Sequence, residues 1–223
     1  MLFRSDFGSS AILTKLPDGR DVLLAGQKSG LVYAFDPDKK GAVLWKVRIA
    51  EAGPGSPTSV GVQWGMATDG QRIFATVSDV GRTRQTSTTD PRRYILDPKQ
   101  GGGLTALRLS DGKQEWHVDA APCPEGAPSG CSPSQPGAVT EIPGVVFATS
   151  TDGHIRAHST EDGRVLWDFD TMKEFKTVNG VAAHGGAIDG PGAVVVNGMV
   201  FINSGYPRNG GVPGNVLLAF GPE

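Results

Sequence analysis

Asp152-Gly-His-Ile-Arg-Ala-His-Ser-Thr-Glu-Asp-Gly-Arg-Val-Leu-Trp167 decides the fold, because it recurs. One copy is Ser29-Gly-Leu-Val-Tyr-Ala-Phe-Asp-Pro-Asp-Lys-Lys-Gly-Ala-Val-Leu-Trp45, and another is Gly103-Leu-Thr-Ala-Leu-Arg-Leu-Ser-Asp-Gly-Lys-Gln-Glu-Trp116. A shortened copy stands at Gly214-Asn-Val-Leu-Leu-Ala-Phe220. Each full copy runs from a glycine through a short apolar strand to a small residue: Ala34, Ala106 or Ala157. A turn glycine follows, and a Trp lies four residues after it: Gly41 to Trp45, Gly112 to Trp116, Gly163 to Trp167. Strand, glycine turn and a second strand carrying Trp make a hairpin with a large anchor. Burying one Trp removes about 150–250 Å² from water, an upper bound of roughly 4–6 kcal/mol. One anchor per unit would lock each unit to its neighbour.

Trp116 lies 71 residues after Trp45, and Trp167 lies 51 residues after Trp116. The units therefore vary in their loops while keeping the hairpin. Self-similarity at this period predicts an all-β propeller with four strands per blade. The expected blades are residues 7–49, 62–118, 137–169 and 187–220 of one partial propeller domain spanning 6–223. The fourth blade shows three strands. A strand from the other terminus would complete it in a closed ring, which places the natural start of the protein upstream.

The rest of the chain excludes several function classes. Hydrophobic residues make up 38% of the 223 and charged residues 20%, with 32 Gly and 16 Pro, as in a turn-rich globular β-protein. The formal net charge is −2 and no segment is massed with basic residues, so nucleic acid is not an expected partner. No apolar run reaches the roughly 20 residues of a membrane span, and the first residues lack the apolar region of a signal peptide. Phosphate-binding glycine loops, H-E-x-x-H and G-x-S-x-G are absent.

Cys123 and Cys131 are the only cysteines, in a Pro/Gly-rich loop. Two readings stay open: a local disulfide made in an oxidising compartment, or two reduced surface thiols. The polar insertion at about 79–102 also has two readings. Arg82, Arg84, Arg92 and Arg93 either line the mouth of a site or are solvated loop charge.

The hairpin pattern resembles the tryptophan-docking repeat of the quinoprotein dehydrogenases, eight-bladed propellers that bind pyrroloquinoline quinone. Three longer stretches resemble the polyvinyl alcohol dehydrogenase branch: Ala25-Gly-Gln-Lys-Ser-Gly-Leu-Val-Tyr-Ala-Phe-Asp36, Gly61-Val-Gln-Trp-Gly-Met-Ala-Thr-Asp-Gly70, and the segment from Gly205-Tyr206 to Phe220. The resemblance runs from Asp6 onward and implies the C-terminal half of the propeller.

It also implies roles. Asp6, before the first strand of its blade, matches the general base. Lys28 matches the basic residue that contacts the quinone oxygens, where a positive charge would stabilise a developing oxyanion. Gln63-Trp64 matches an Asn-Trp pair whose amide bonds the cofactor, with the longer Gln in place of Asn. Ser134-Gln135 and Asn209-Gly210-Gly211 stand where relatives carry an active-site Trp, and neither place has one here. Asn209 and Gly210 remain cofactor-facing candidates. His184 either faces the central funnel or is a surface loop residue. The resemblance further implies calcium, with its ligands in upstream blades, an alcohol substrate, a cytochrome c electron acceptor and a periplasmic location. A piece holding only these blades is expected to be inactive by itself. The alternative is a non-catalytic propeller of the same repeats, a protein-binding or outer-membrane assembly scaffold. Repeats alone do not separate the two; the polar set Asp6, Lys28 and Gln63 favours the enzyme.

Overall fold

The computed structural model describes residues 6–50, 60–84, 94–206 and 210–222. The first sheet is β1 (Ile12–Lys15), β2 (Asp21–Gly26), β3 (Leu31–Asp36) and β4 (Ala42–Arg48), paired antiparallel in chain order. The second is built from β5 (Ala67–Thr68), β6 (Arg72–Thr76), β9 (Gly103–Arg108) and β10 (Gln114–Asp119). A separate two-stranded hairpin, β7 (Arg82–Arg84) and β8 (Tyr94–Leu96), is inserted between β6 and β9. The third is β11 (Thr140–Ile142), β12 (Val145–Thr149), β13 (His154–Ser159) and β14 (Val165–Asp170). A second extra hairpin, β15 (Glu174–Lys176) and β16 (Ala182–His184), leads to the last sheet: β17 (Val194–Val196), β18 (Met199–Ser204) and β19 (Val216–Phe220). These sheets stack side by side as a four-blade arc of the propeller type.

Strand alternation explains why the blades stack. Successive side chains of a strand point to opposite faces, so a central strand feeds two cores. Ile73 and Leu107 join Val22, Leu24 and Val32 between the first and second sheets. Phe74, Leu104 and Ala106 face the other way and meet Val139, Val146 and Ala148 of the third. Phe147, Ile155 and Ala157 then meet Ile188, Ala193 and Ile202 of the fourth. Fully burying each large side chain contributes about 1.5–3 kcal/mol.

The repeated anchor occupies one register position throughout. Trp45 pairs with Ala34, Trp116 with Ala106 and Trp167 with Ala157, each beside a register shift in the strand pair. A small residue opposite the indole leaves room for it. The Trp45 indole N–H donates to the Leu109 carbonyl at 3.1 Å, and the Trp116 N–H donates to the Thr160 carbonyl at 3.1 Å. Each acceptor is the first residue after the third strand of the next blade. The rings are half-buried, because they sit at the outer rim of the arc where one edge still meets water.

The first strand of the second blade is shorter than the stretch Val62–Ala67 suggests. It begins at Ala67, and the residues before it form an irregular entry segment.

Candidate active site

In an antiparallel blade, the start of the first strand and the end of the second lie at one end of the sheet. Entry segments and second-to-third-strand loops from every blade therefore emerge together. That end carries residues 6–11, the 27–30 turn, residues 60–66, the strands β7 and β8, the 131–139 segment, the 185–193 segment and residues 205, 206 and 210–215.

Lys28 sits in a tight turn closed by the Gln27 N–H to the Leu31 carbonyl, 2.9 Å, and the Gly30 N–H to the Gln27 carbonyl, 2.9 Å. Gly30 has φ +84°, and a side chain there would run into Ala50. The turn fixes Lys28 against Asp6 twice. Its backbone N–H donates to the Asp6 carbonyl at 3.1 Å, and its Nζ pairs with Asp6 Oδ2 at 2.9 Å. Both side chains keep solvent contact, with Lys28 34% and Asp6 50% exposed. An ammonium has three N–H donors, so Asp6 leaves two for another acceptor.

Gly8 links this pair to the next blade. A Cβ on Gly8 would lie 2.5 Å from Lys28 Cε and 3.0 Å from the Gln63 carbonyl oxygen. The absence of a side chain lets Lys28, with Asp6 paired to it, pack against the backbone of Gln63. The Gln63 Nε2 donates to the Val60 carbonyl at 2.7 Å, which uses one of its two N–H donors.

Trp64 continues the line inward. Its indole Nε1–H donates to Asp189 Oδ1 at 3.0 Å, joining the entry segments of the second and fourth blades across the third. Trp64, Asp189, Ile188, Pro191, Asn203 and Tyr206 border a cavity of about 310 Å³ on this end of the arc. Asp189 is 5% exposed. It is the site residue that sequence reasoning passes over: in Asp189-Gly-Pro-Gly192 an Asp reads as a turn former, and its partner is 125 positions away.

The other candidates sit apart from the Asp6–Lys28 pair. His184 is exposed at the end of β16. Its backbone N–H donates to Asn215 Oδ1 at 3.0 Å, and its ring Nδ1 lies 3.2 Å from the Gly185 carbonyl. Gly210, at φ +96°, packs on the second blade's insertion, where its Cβ would lie 2.6 Å from the Tyr94 carbonyl oxygen. Asn209 lies outside the described residues, as do Arg92 and Arg93. The Arg82 guanidinium stacks over the Tyr94 ring at 4.5 Å. Ser134 pairs its hydroxyl with Ser78 at 3.0 Å, and Gln135 is buried with no partner for its Oε1.

Cys123 and Cys131 form a disulfide with Cα atoms 6.3 Å apart, which resolves the open choice at this loop. Among the described residues no three or more His, Cys, Asp or Glu side chains gather as a metal site. No helix among them is long and apolar enough to cross a membrane.

Known proteins give this geometry a context. A polyvinylalcohol dehydrogenase from Pseudomonas sp is 42% identical over 226 residues, which cover 96% of this chain and 32% of the relative. A polyvinylalcohol dehydrogenase from Sphingopyxis sp. (strain 113P3) is 35% identical over 225 residues, covering 96% of this chain and 32% of its own length. The chain thus spans about a third of the length of these relatives. The quinohemoprotein alcohol dehydrogenase of Comamonas testosteroni superposes with a TM-score of 0.53 at 17% identity, over 97% of this chain and 34% of that one, a likeness of fold. The model of the PQQ_2 family, described as outer membrane protein assembly factor BamB, matches residues 28–198, well over half of the sequence, and the chain therefore belongs to that family of propeller repeats.

Proposed function

We propose that this chain forms one wall of the active site of an alcohol dehydrogenase that uses pyrroloquinoline quinone and calcium. Its substrate is a primary or secondary alcohol, polymeric alcohols included. Its electrons pass to a cytochrome c, and it works in the periplasm. The observation that carries this reading is the Asp6–Lys28 ion pair packed through Gly8 against the backbone of Gln63, in a chain 42% identical to a polyvinylalcohol dehydrogenase. The disulfide supports an oxidising compartment.

The side chains suit a flat, polyanionic quinone. Lys28 offers a cation that spends one of its three N–H donors on Asp6, Gln63 an amide N–H, and Trp64 an aromatic wall on the cavity. When bound, the quinone supplies the acceptor for the two electrons that leave the alcohol carbon. Asp6 takes the hydroxyl proton on its carboxylate, as a general base does. Lys28 stays within reach of both that carboxylate and an incoming oxygen, so it orients the two partners and stabilises negative charge between them. The calcium ligands are assigned to upstream blades.

The test uses the full-length protein with quinone and calcium saturating. Asp6→Asn is expected to lower kcat by about 10²–10⁴-fold while leaving quinone binding largely intact. Lys28→Ala is expected to weaken both. Turnover of Asp6→Asn at the parent rate refutes the base assignment. A scaffold reading is favoured by the description of the matching family; a parent protein that binds no quinone would decide for it.

A further inference from the structure

We propose that the cavity bordered by Trp64 and Tyr206 is a subsite for a hydroxyl-bearing chain, taking the units of a polymeric alcohol that lie beyond the reacting carbon. The inference rests on the alcohol dehydrogenase reading above. The cavity, about 310 Å³, adjoins the Asp6–Lys28 pair. At Gly8 the Lys28 side chain packs against the backbone of Gln63, and the next residue, Trp64, already borders the cavity. Adjacent Cα atoms are only about 3.8 Å apart. A chain whose reacting carbon stands at Asp6 therefore runs past Gln63 to this opening.

The lining has the chemistry such a chain needs. A polymer of secondary alcohols alternates apolar CH₂ groups with neutral hydroxyls. Aromatic rings come to the cavity from two blades, Trp64 from the second and Tyr206 from the fourth, and Ile188 and Pro191 add apolar surface. These faces suit the CH₂ groups. The Tyr206 phenol both donates and accepts, which suits a hydroxyl. No lysine or arginine is among the described residues that border the cavity, whereas an anionic quinone is met by Lys28 on the far side of Gln63. Two features keep the space ready. The Tyr206 backbone N–H donates to the Ala187 carbonyl at 3.0 Å, and the Ala187 N–H donates to the Val212 carbonyl at 2.8 Å, which fixes the stem of the ring. Gly190 also borders the cavity, and a Cβ there would meet nothing within 4 Å.

The experiment compares kcat/KM of the full-length protein, with quinone and calcium saturating, on polyvinyl alcohol and on isopropanol, and titrates pyrroloquinoline quinone in parallel. Tyr206→Ala is expected to lower the polymer-to-isopropanol ratio of kcat/KM by about ten-fold, through KM for the polymer. Gly190→Leu, which puts a side chain into the open space, is expected to lower the ratio as far. Quinone affinity is expected to stay within about two-fold of the parent in both. A parental ratio in either variant overturns the proposal. So does a quinone affinity that falls together with the ratio, which assigns the cavity to the cofactor. Should Gly190→Leu not fold, Tyr206→Ala, at a residue 61% exposed, decides alone. A parent that binds no quinone and oxidises neither alcohol overturns the dehydrogenase reading itself and this proposal with it.

Discussion

At Gly112 two demands fall on one residue. Its φ is +71°, a region that side chains rarely adopt, and a Cβ there would lie 2.6 Å from the Trp45 ring. Gly163 repeats both features, at φ +75° and 2.7 Å from Trp116. Gly112→Ala is expected to destabilise by about 2–4 kcal/mol, the sum of backbone strain and overpacking. Gly41→Ala, at φ +74° with nothing within 4 Å, should cost only the strain, about 1 kcal/mol. Urea midpoints of the two variants isolate the value of the indole seat. This is why the anchor was legible: both halves of each joint, the Trp and the glycine beneath its predecessor, recur in the sequence. Asp189 was not legible, because a polar contact between distant loops leaves no period.

His158 gives a second test at this scale. It is 1% exposed, with Nδ1 2.9 Å from the Gly163 carbonyl and Nε2 buried without a partner. Burial pushes its pKa below the ordinary imidazole value. The unfolded chain takes up a proton near pH 6.5 and the folded chain does not. Its contribution is therefore intact above about pH 6.5 and is lost as pH falls toward the folded value, by up to about 1.4 kcal/mol per pH unit. Melting temperatures from pH 7.5 to 5 should decline more steeply for the parent than for His158→Gln.

Among the elements, the loop between the second and third blades is the one held by covalent chemistry. The Cys123 N–H donates to the Pro98 carbonyl at 2.8 Å, tying the loop to the second blade's insertion. The Thr151 hydroxyl donates to the Ser132 carbonyl at 2.8 Å, tying it to the third blade. Closing a loop of eight residues stabilises by about 2–3 kcal/mol in the chain-entropy account. Cys123→Ser with Cys131→Ser is therefore expected to lower the urea midpoint. It should also expose the 120–137 segment to limited proteolysis before the blades themselves are cut. The four sheets were readable from alternation and turn glycines. The hairpins β7–β8 and β15–β16 were not: their strands are three residues long, inside polar stretches, and too short for a period of two to declare itself.

For the whole molecule, stability is a series of nearest-neighbour joints. Each core lies between two adjacent sheets, and each docked Trp crosses one boundary. In such a stack, weakening one boundary uncouples the units on either side. Trp116→Ala removes the joint between the second and third blades, where the indole also packs on Phe74 with ring centres 5.8 Å apart. Urea unfolding followed by Trp45 fluorescence and by Trp167 fluorescence, each read in a variant in which the other and Trp64 are replaced by Phe, is expected to separate into two midpoints. A single shared midpoint would show that the blades remain coupled without the indole.

The way each indole leans on the blade that follows gives the arc a direction. Trp45 sits over Gly112 and Trp116 over Gly163, while Trp167 of the third blade rests on Phe220 of the fourth, ring centres 5.0 Å apart. Every joint is therefore asymmetric: one blade gives the indole and the next receives it, on a turn glycine at the first two joints and on an aromatic ring at the third. Two blades joined in this way cannot exchange places, so the polarity of the stack is written into the joints and not into the connecting loops.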